Sequence, residues 1–186
     1  AREGEIVLGS AGHLSEEKGH VHLLEMMPHL SGSGHKFRLI IAGEGRLMQY
    51  LQKRARRLGI EHQVDFLGFV EDMPSFFRSL DVFLLSSHYE GFGYVIAEAM
   101  ASRIPVVAFD ISSSSEIILD GETGFLANRS DIRKMAQKVQ ILAGDPKLRH
   151  RMGENGRKRV EELFSFEKNQ QQILRLLTPR NGLQDL

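Results

Sequence analysis

The chain has 186 residues, 24 of them basic and 24 acidic, with 41% hydrophobic and 26% charged residues. That composition suits a globular protein of one domain or a little more, and the balanced charge gives no electrostatic footprint for nucleic acid. With no cysteine, disulfides and thiolate chemistry are excluded.

Glu5–Ala11 (E-I-V-L-G-S-A) reads as a first strand, and Gly12–Gly19 (G-H-L-S-E-E-K-G) as the loop after it. Val21, Leu24, Met27 and Leu30 recur at helical spacing, which predicts a helix from Val21 to Leu30. After a glycine and serine turn, Phe37–Ala42 (F-R-L-I-I-A) is apolar enough to be a strand buried on both faces. Gly43-Glu44-Gly45 turns the chain into a helix from Leu47 to Leu58, whose outer face is basic (Lys53, Arg54, Arg56, Arg57) and which Gly59 stops. Val64–Leu67 is a third strand, followed by Gly68-Phe69-Val70. Asp72 is placed to cap a small helix with Pro74 in its first turn.

Asp81–Leu85 is strand four and Pro105–Phe109 strand five. Between them lies Glu90–Ala101 (E-G-F-G-Y-V-I-A-E-A-M-A), a glycine turn that becomes helix-forming at Tyr94. Ser112–Ser115 start a short helix, and Phe125-Leu126 is a brief last strand. Asp131 and Asp145-Pro146 each start a helix, the first to about Ala143 and the second to about Leu163. An amphipathic helix is expected from Phe166 to Leu177, ahead of Pro179 and a loose tail over 179–186.

Strands alternating with helices across short connections predict an α/β fold: a Rossmann-like parallel sheet of about six strands, covered on both faces, over residues 1–178. The C-terminal helices either cover this sheet or reach to a part of the protein outside the chain. The chain enters its first strand without a starting methionine, so a piece of a longer protein is expected. No signal peptide and no apolar run of roughly 18 residues is visible, and a cytoplasmic location is expected.

The chemistry concentrates at Glu90–Ala101. In a parallel α/β sheet a strand, a glycine turn and a helix start present free N–H groups to a ligand. The small and apolar neighbours of Glu98 (Ala97, Ala99, Met100, Ala101) predict a largely buried helix, and a buried carboxylate needs partners such as ligand hydroxyls. Lys18, beside Gly19, is suited to an anion, although a solvated lysine is the commoner case. Gly43-Glu44-Gly45 lacks the third glycine of a dinucleotide fingerprint, since Met48 stands there, and a tight turn explains these glycines as well as ligand contact does. His20 and His22 are two apart on a helix and do not share a face, and no H-E-x-x-H occurs, so no metal site is expected.

The run E-G-F-G-Y-V-I-A-E-A-M-A resembles the E-x₇-E signature of retaining GT-B glycosyltransferases of the group-one type (family four). Seven residues separate Glu90 from Glu98, as that signature requires. G-H-L-S-E-E-K-G is similar to that family's G-R-L-x-x-E-K-G loop, and I-I-A-G-E-G, V-D-F-L-G-F-V, D-V-F-L-L-S-S, I-P-V-V-A-F-D and D-G-E-T-G-F-L follow in the family's order. The resemblance covers nearly the whole chain and only the C-terminal, donor-binding half of such enzymes; the N-terminal acceptor domain is absent.

That resemblance implies a nucleoside-diphosphate-sugar donor (UDP or GDP), no cofactor and no metal. Amides around Gly91, Phe92 and Gly93 would meet the sugar, and those of Tyr94 and Val95 the diphosphate. Glu90 would accept from sugar hydroxyls and Glu98 from the ribose, Lys18 would pair with the diphosphate, and Gly68, Phe69 and Val70 would frame the base. Glu90 and Lys18 would carry the catalytic roles. Peripheral membrane contact in the full protein is a further expectation, with the basic face at Lys53 to Arg57 as its candidate.

Departures from the family pattern are informative. His13 stands where arginine is usual as the second cationic partner of the diphosphate, and a histidine is charged only below the neutral range, so donor binding is expected to tighten as it protonates. Ser86 stands for a common proline, Ser112–Ser115 for a frequent glycine pair, and Arg103 for a frequent glycine. His13 also supports the alternative of a non-catalytic nucleotide-sugar-binding or interaction module, with a nucleotide-sugar epimerase as a third reading.

Overall fold

A computed structural model describes residues 4–164. Six strands form one sheet: β1 (Glu5–Ala11), β2 (Lys36–Ala42), β3 (Val64–Gly68), β4 (Val82–Leu85), β5 (Val106–Phe109) and β6 (Gly124–Ala127). Their order is β3-β2-β1-β4-β5-β6, and every pair is parallel. Leu8 of β1 lies opposite Leu39 on one side and Val82 on the other. All four residues of β4 and of β5 are buried, which is why these strands read as unbroken apolar runs.

Among the described residues, seven α-helices cover the sheet: α1 (His20–Met26), α2 (Met48–Arg57), α3 (Met73–Arg78), α4 (Tyr94–Ala101), α5 (Ser112–Ile117), α6 (Ile132–Gly144) and α7 (Pro146–Leu163). Successive strand residues serve opposite faces. Leu8, Leu39, Val82 and Leu84 pack with Leu23 and Leu24 of α1, Leu51 of α2 and Met135 and Val139 of α6. Val7, Phe83 and Leu85 pack with Phe76 and Phe77 of α3, Ile96 and Met100 of α4 and Val160 of α7. Each fully buried side chain of this kind contributes about 1.5–3 kcal/mol. The C-terminal helices α6 and α7 therefore cover the sheet.

Local chemistry sets the helix starts. Asp72, Asp131 and Asp145 each accept a hydrogen bond from the backbone N–H three residues on, at 2.9–3.0 Å, as their positions predict. The expected helix Val21–Leu30 is instead α1 followed by a 3-10 turn, Met27–Leu30. Pro28 is the reason, because it has no N–H to continue the α ladder, although Met27 itself keeps α geometry at φ −52° and ψ −44°. On α2, Arg54 turns to Glu25 at 2.6 Å, and Lys53, Arg56 and Arg57 stay exposed. The predicted helix Phe166–Leu177 and the tail lie outside the described residues.

The strand order positions the site. From β1 the chain moves outward through β2 and β3, then crosses back to β4 on the other side of β1. The loops leaving β1 and β4 diverge at that reversal and open a crevice beyond the strand ends, the place where open parallel sheets bind ligands.

Candidate functional site

Two loops build the cleft. The β1–α1 loop, residues 12–19, carries His13 and Lys18; the β4–α4 loop, residues 86–93, carries Glu90. They are stitched together by polar contacts. Ser86 Oγ donates to the Gly19 carbonyl at 2.9 Å, and the His88 N–H donates to the Glu17 carbonyl at 2.7 Å. Gly19 has φ 62°, and a β-carbon there would overlap the Ser86 carbonyl oxygen, so only glycine allows this approach. The β2–α2 turn closes the third side. Gly12 N–H donates to the Ala42 carbonyl at 3.0 Å, and a β-carbon on Gly43 (φ 138°) would overlap the Gly12 carbonyl oxygen.

Lys18 and Glu90, 72 positions apart, meet at the centre. Lys18 Nζ lies 2.7 Å from both carboxylate oxygens of Glu90. Ser87 Oγ donates to Glu90 Oε1 at 2.7 Å, and the Glu90 side chain is only 8% exposed. Around this pair lies a cleft of about 620 Å³ that also touches His13, Phe69, Val70, Tyr94, Val95 and Glu98. Tyr94 and Val95 open α4, where the first N–H groups have no partner within a helix. Glu90 and Glu98 thus share one cleft.

Four predicted residues do not line this cleft. Gly68 works from behind: it ends β3 at φ 71°, and its carbonyl accepts from the Gly43 N–H at 2.7 Å. Gly93 is the buried N-cap of α4, at φ 73°. Gly91 is exposed, with open space around it. Phe92 turns away, its ring centroid 4.6 Å from that of Tyr94 and 5.6 Å from that of Phe164. One correction concerns Glu98. The expected buried helix is buried at Ile96, Ala99 and Met100, whereas Glu98 is exposed on the cleft side, because an eight-residue helix on a sheet has only one face to bury.

Other residues at the site were not predicted. Gly12, Gly43, Glu44 and Met73 line the cleft, and Ser87 holds Glu90. The glycine turn 43–45 was the available signal for two of them; Ser87 had none beyond its closeness to Glu90. His20, behind the pair, is buried with an unpartnered Nδ1, and burial, with Lys18 adding in the same direction, pushes its pKa down to about 4 against a smaller opposing pull from Glu90. His22 is also lowered, first by burial and then by His88, whose Nε2 is 3.2 Å from its own.

An open parallel sheet in this order, with its cleft at the strand-order reversal, defines a Rossmann-like α/β domain. The chain belongs to the family described as Glycosyl transferases group 1, which residues 1–159 match. It is 31% identical over 162 residues to the capsular polysaccharide biosynthesis glycosyltransferase CapM of Staphylococcus aureus, covering 87% of this chain and 43% of CapM. Among solved structures it is similar to HepE of Anabaena in complex with UDP and glucose (27% identity, TM-score 0.85, 94% of this chain and 48% of that one). It is also similar to the C-terminal domain of LpcC, a group 1 family protein from Francisella tularensis (29% identity, TM-score 0.76, 86% of each chain). The chain spans about half the length, or less, of the curated relatives CapM and LpsE. No helix among the described residues is long and apolar enough to cross a membrane.

Proposed function

We propose that this chain is the donor-binding half of a retaining glycosyltransferase. In the whole protein it would transfer a sugar from a nucleoside-diphosphate sugar to an acceptor hydroxyl without a resident metal. The observation that carries this reading is the meeting of Lys18 and Glu90 beside Glu98 and the start of α4 in one cleft. The UDP and glucose held by HepE support it.

In this reading the diphosphate takes Lys18, with His13 at the rim and the Tyr94 and Val95 amides below it. Sugar hydroxyls donate to Glu90 near the Gly91–Gly93 amides, and ribose hydroxyls donate to Glu98. The base lies against Gly68–Val70, where Phe69 is 76% exposed. The anomeric carbon exchanges its bond to the diphosphate oxygen for one to the acceptor oxygen on the same face. The electron pair of the broken bond stays on the diphosphate, and the acceptor proton leaves with it. A helix N-terminus contributes about 0.3–2 kcal/mol to an anion. A directly paired lysine in a shielded site therefore stabilises the leaving group more.

Calorimetry with UDP, GDP, ADP and their sugar conjugates tests donor binding, repeated with a chelator and with magnesium. The reading expects one nucleotide family to bind, its affinity unchanged by the chelator. Failure of all six ligands to bind would remove it. Transfer is expected only when the acceptor-side half is present, and product analysis then reports the anomeric configuration. Binding without transfer in that full protein would favour the non-catalytic module.

A further inference from the structure

We infer that Glu90 also expels the spent nucleoside diphosphate, by recapturing Lys18 once the sugar has left; this rests on the donor-binding reading above. In the cleft as it stands, Lys18 is not a free cation awaiting a phosphate. Both Glu90 oxygens lie 2.7 Å from its ammonium, and Ser87 holds the same carboxylate from the other side at 2.7 Å. Any diphosphate must therefore compete with Glu90 for Lys18.

The outcome of that competition depends on what the ligand gives back. A bare nucleoside diphosphate that draws Lys18 away leaves a carboxylate 8% exposed with Ser87 as the remaining donor of these two. Removing one partner of a nearly buried ion pair is costly, because the other charge is left uncompensated. A nucleoside-diphosphate sugar carries hydroxyls that donate to Glu90 as Lys18 moves to the diphosphate, so each group exchanges one partner for another. The penalty thus falls on the product and spares the donor. After transfer the sugar hydroxyls depart, Glu90 retakes the ammonium, and the diphosphate loses its direct cation. Glu90 is in this way a specificity-determining residue: it makes the site favour the intact donor over its own leaving group.

The test is calorimetry of this chain with UDP against UDP-glucose and GDP against GDP-mannose, on wild type, Glu90→Gln, Glu90→Ala, Lys18→Met and the Lys18→Met/Glu90→Gln double variant, with thermal melts to confirm folding. In the pair that binds, wild type should prefer the sugar conjugate by roughly tenfold, the scale of one charge-assisted hydrogen bond. Glu90→Gln and Glu90→Ala should tighten the bare diphosphate by a similar factor and leave the conjugate no tighter, so the preference collapses. In a Lys18→Met background the gain from Glu90→Gln should vanish. The inference is overturned if neither Glu90 variant tightens the bare diphosphate, or if the gain survives in Lys18→Met, which would mean plain repulsion between carboxylate and phosphate. Equal wild-type affinity for conjugate and bare diphosphate sinks the release device and leaves donor binding standing. No binding of either pair removes both.

Discussion

Acidification between pH 7.5 and pH 5 bears most on one buried side chain. His20 is 3% exposed, its Nδ1 has no hydrogen-bond partner, and its pKa falls from the ordinary 6.5 to about 4 on folding. The folded value lies below the unfolded one, so the unfolded chain binds the proton first. Stability is complete above pH 6.5 and is lost as the pH falls toward 4. Linkage gives a loss of about 2 kcal/mol by pH 5, and ~3 kcal/mol once the pH is below both values. His22 shifts in the same direction and adds to the loss. The two carboxylates held below their ordinary values, Glu17 by Ser15 and Asp72 by Ser75, cost stability only at lower pH. The assay is urea unfolding at both pH values on wild type and His20→Leu. With a slope of about 2 kcal/mol/M, the wild-type midpoint should fall by about 1 M, and the variant's by less than half of that. Parallel shifts in the two proteins would refute the reasoning, since His20 would then take up its proton without being buried against it.

Gly43→Ala places a β-carbon on the Gly12 carbonyl oxygen at a backbone φ of 138°, and should destabilise the chain by about 3 kcal/mol or more, read from the urea midpoint. Gly59→Ala, at φ 69° with open space around it, is the control and should cost only about 1 kcal/mol. Arg103 holds φ 61° at the end of α4, and its exposed pairing with Glu154 at 2.9 Å is worth little. Arg103→Gly should therefore stabilise by roughly 0.5–1 kcal/mol, seen as a melting temperature a few degrees higher; an unchanged or lower value contradicts it.

The central strands β4 and β5 were legible because every residue in them is buried, so they appear as apolar runs whatever their partners. Helix starts were legible at Asp72, Asp131 and Asp145 because a cap is local chemistry. Strand order was not, since nothing in β4 names β1 as its neighbour. The same limit hid the state of Lys18 and Glu90: their residue types marked the site, but the ion pair arises only when the sheet brings the two loops together. At Met27 the apolar spacing outweighed a visible signal, the proline that follows it. At Glu98 composition misled, because a short helix packed on the sheet buries Ile96, Ala99 and Met100 on one face and leaves Glu98 to the cleft side.

The charges around the cleft set one further expectation. Among the described residues lining it, Glu44, Glu90 and Glu98 supply carboxylates and Lys18 supplies the ammonium, with His13 exposed at the rim. A diphosphate adds more negative charge to that set. Backbone dipoles at α4 offset only part of it, so a second cation is required for tight binding, and His13 is placed to supply one when protonated. His13→Arg makes that charge permanent and presents a fork that matches phosphate oxygens. Because the position is exposed, the gain should be modest, roughly three- to tenfold in affinity for the nucleoside-diphosphate sugar, and should shrink as salt is raised. An affinity unmoved by the arginine, at low salt and at every pH, would mean that His13 does not reach the diphosphate and that its second cation comes from the acceptor-side half.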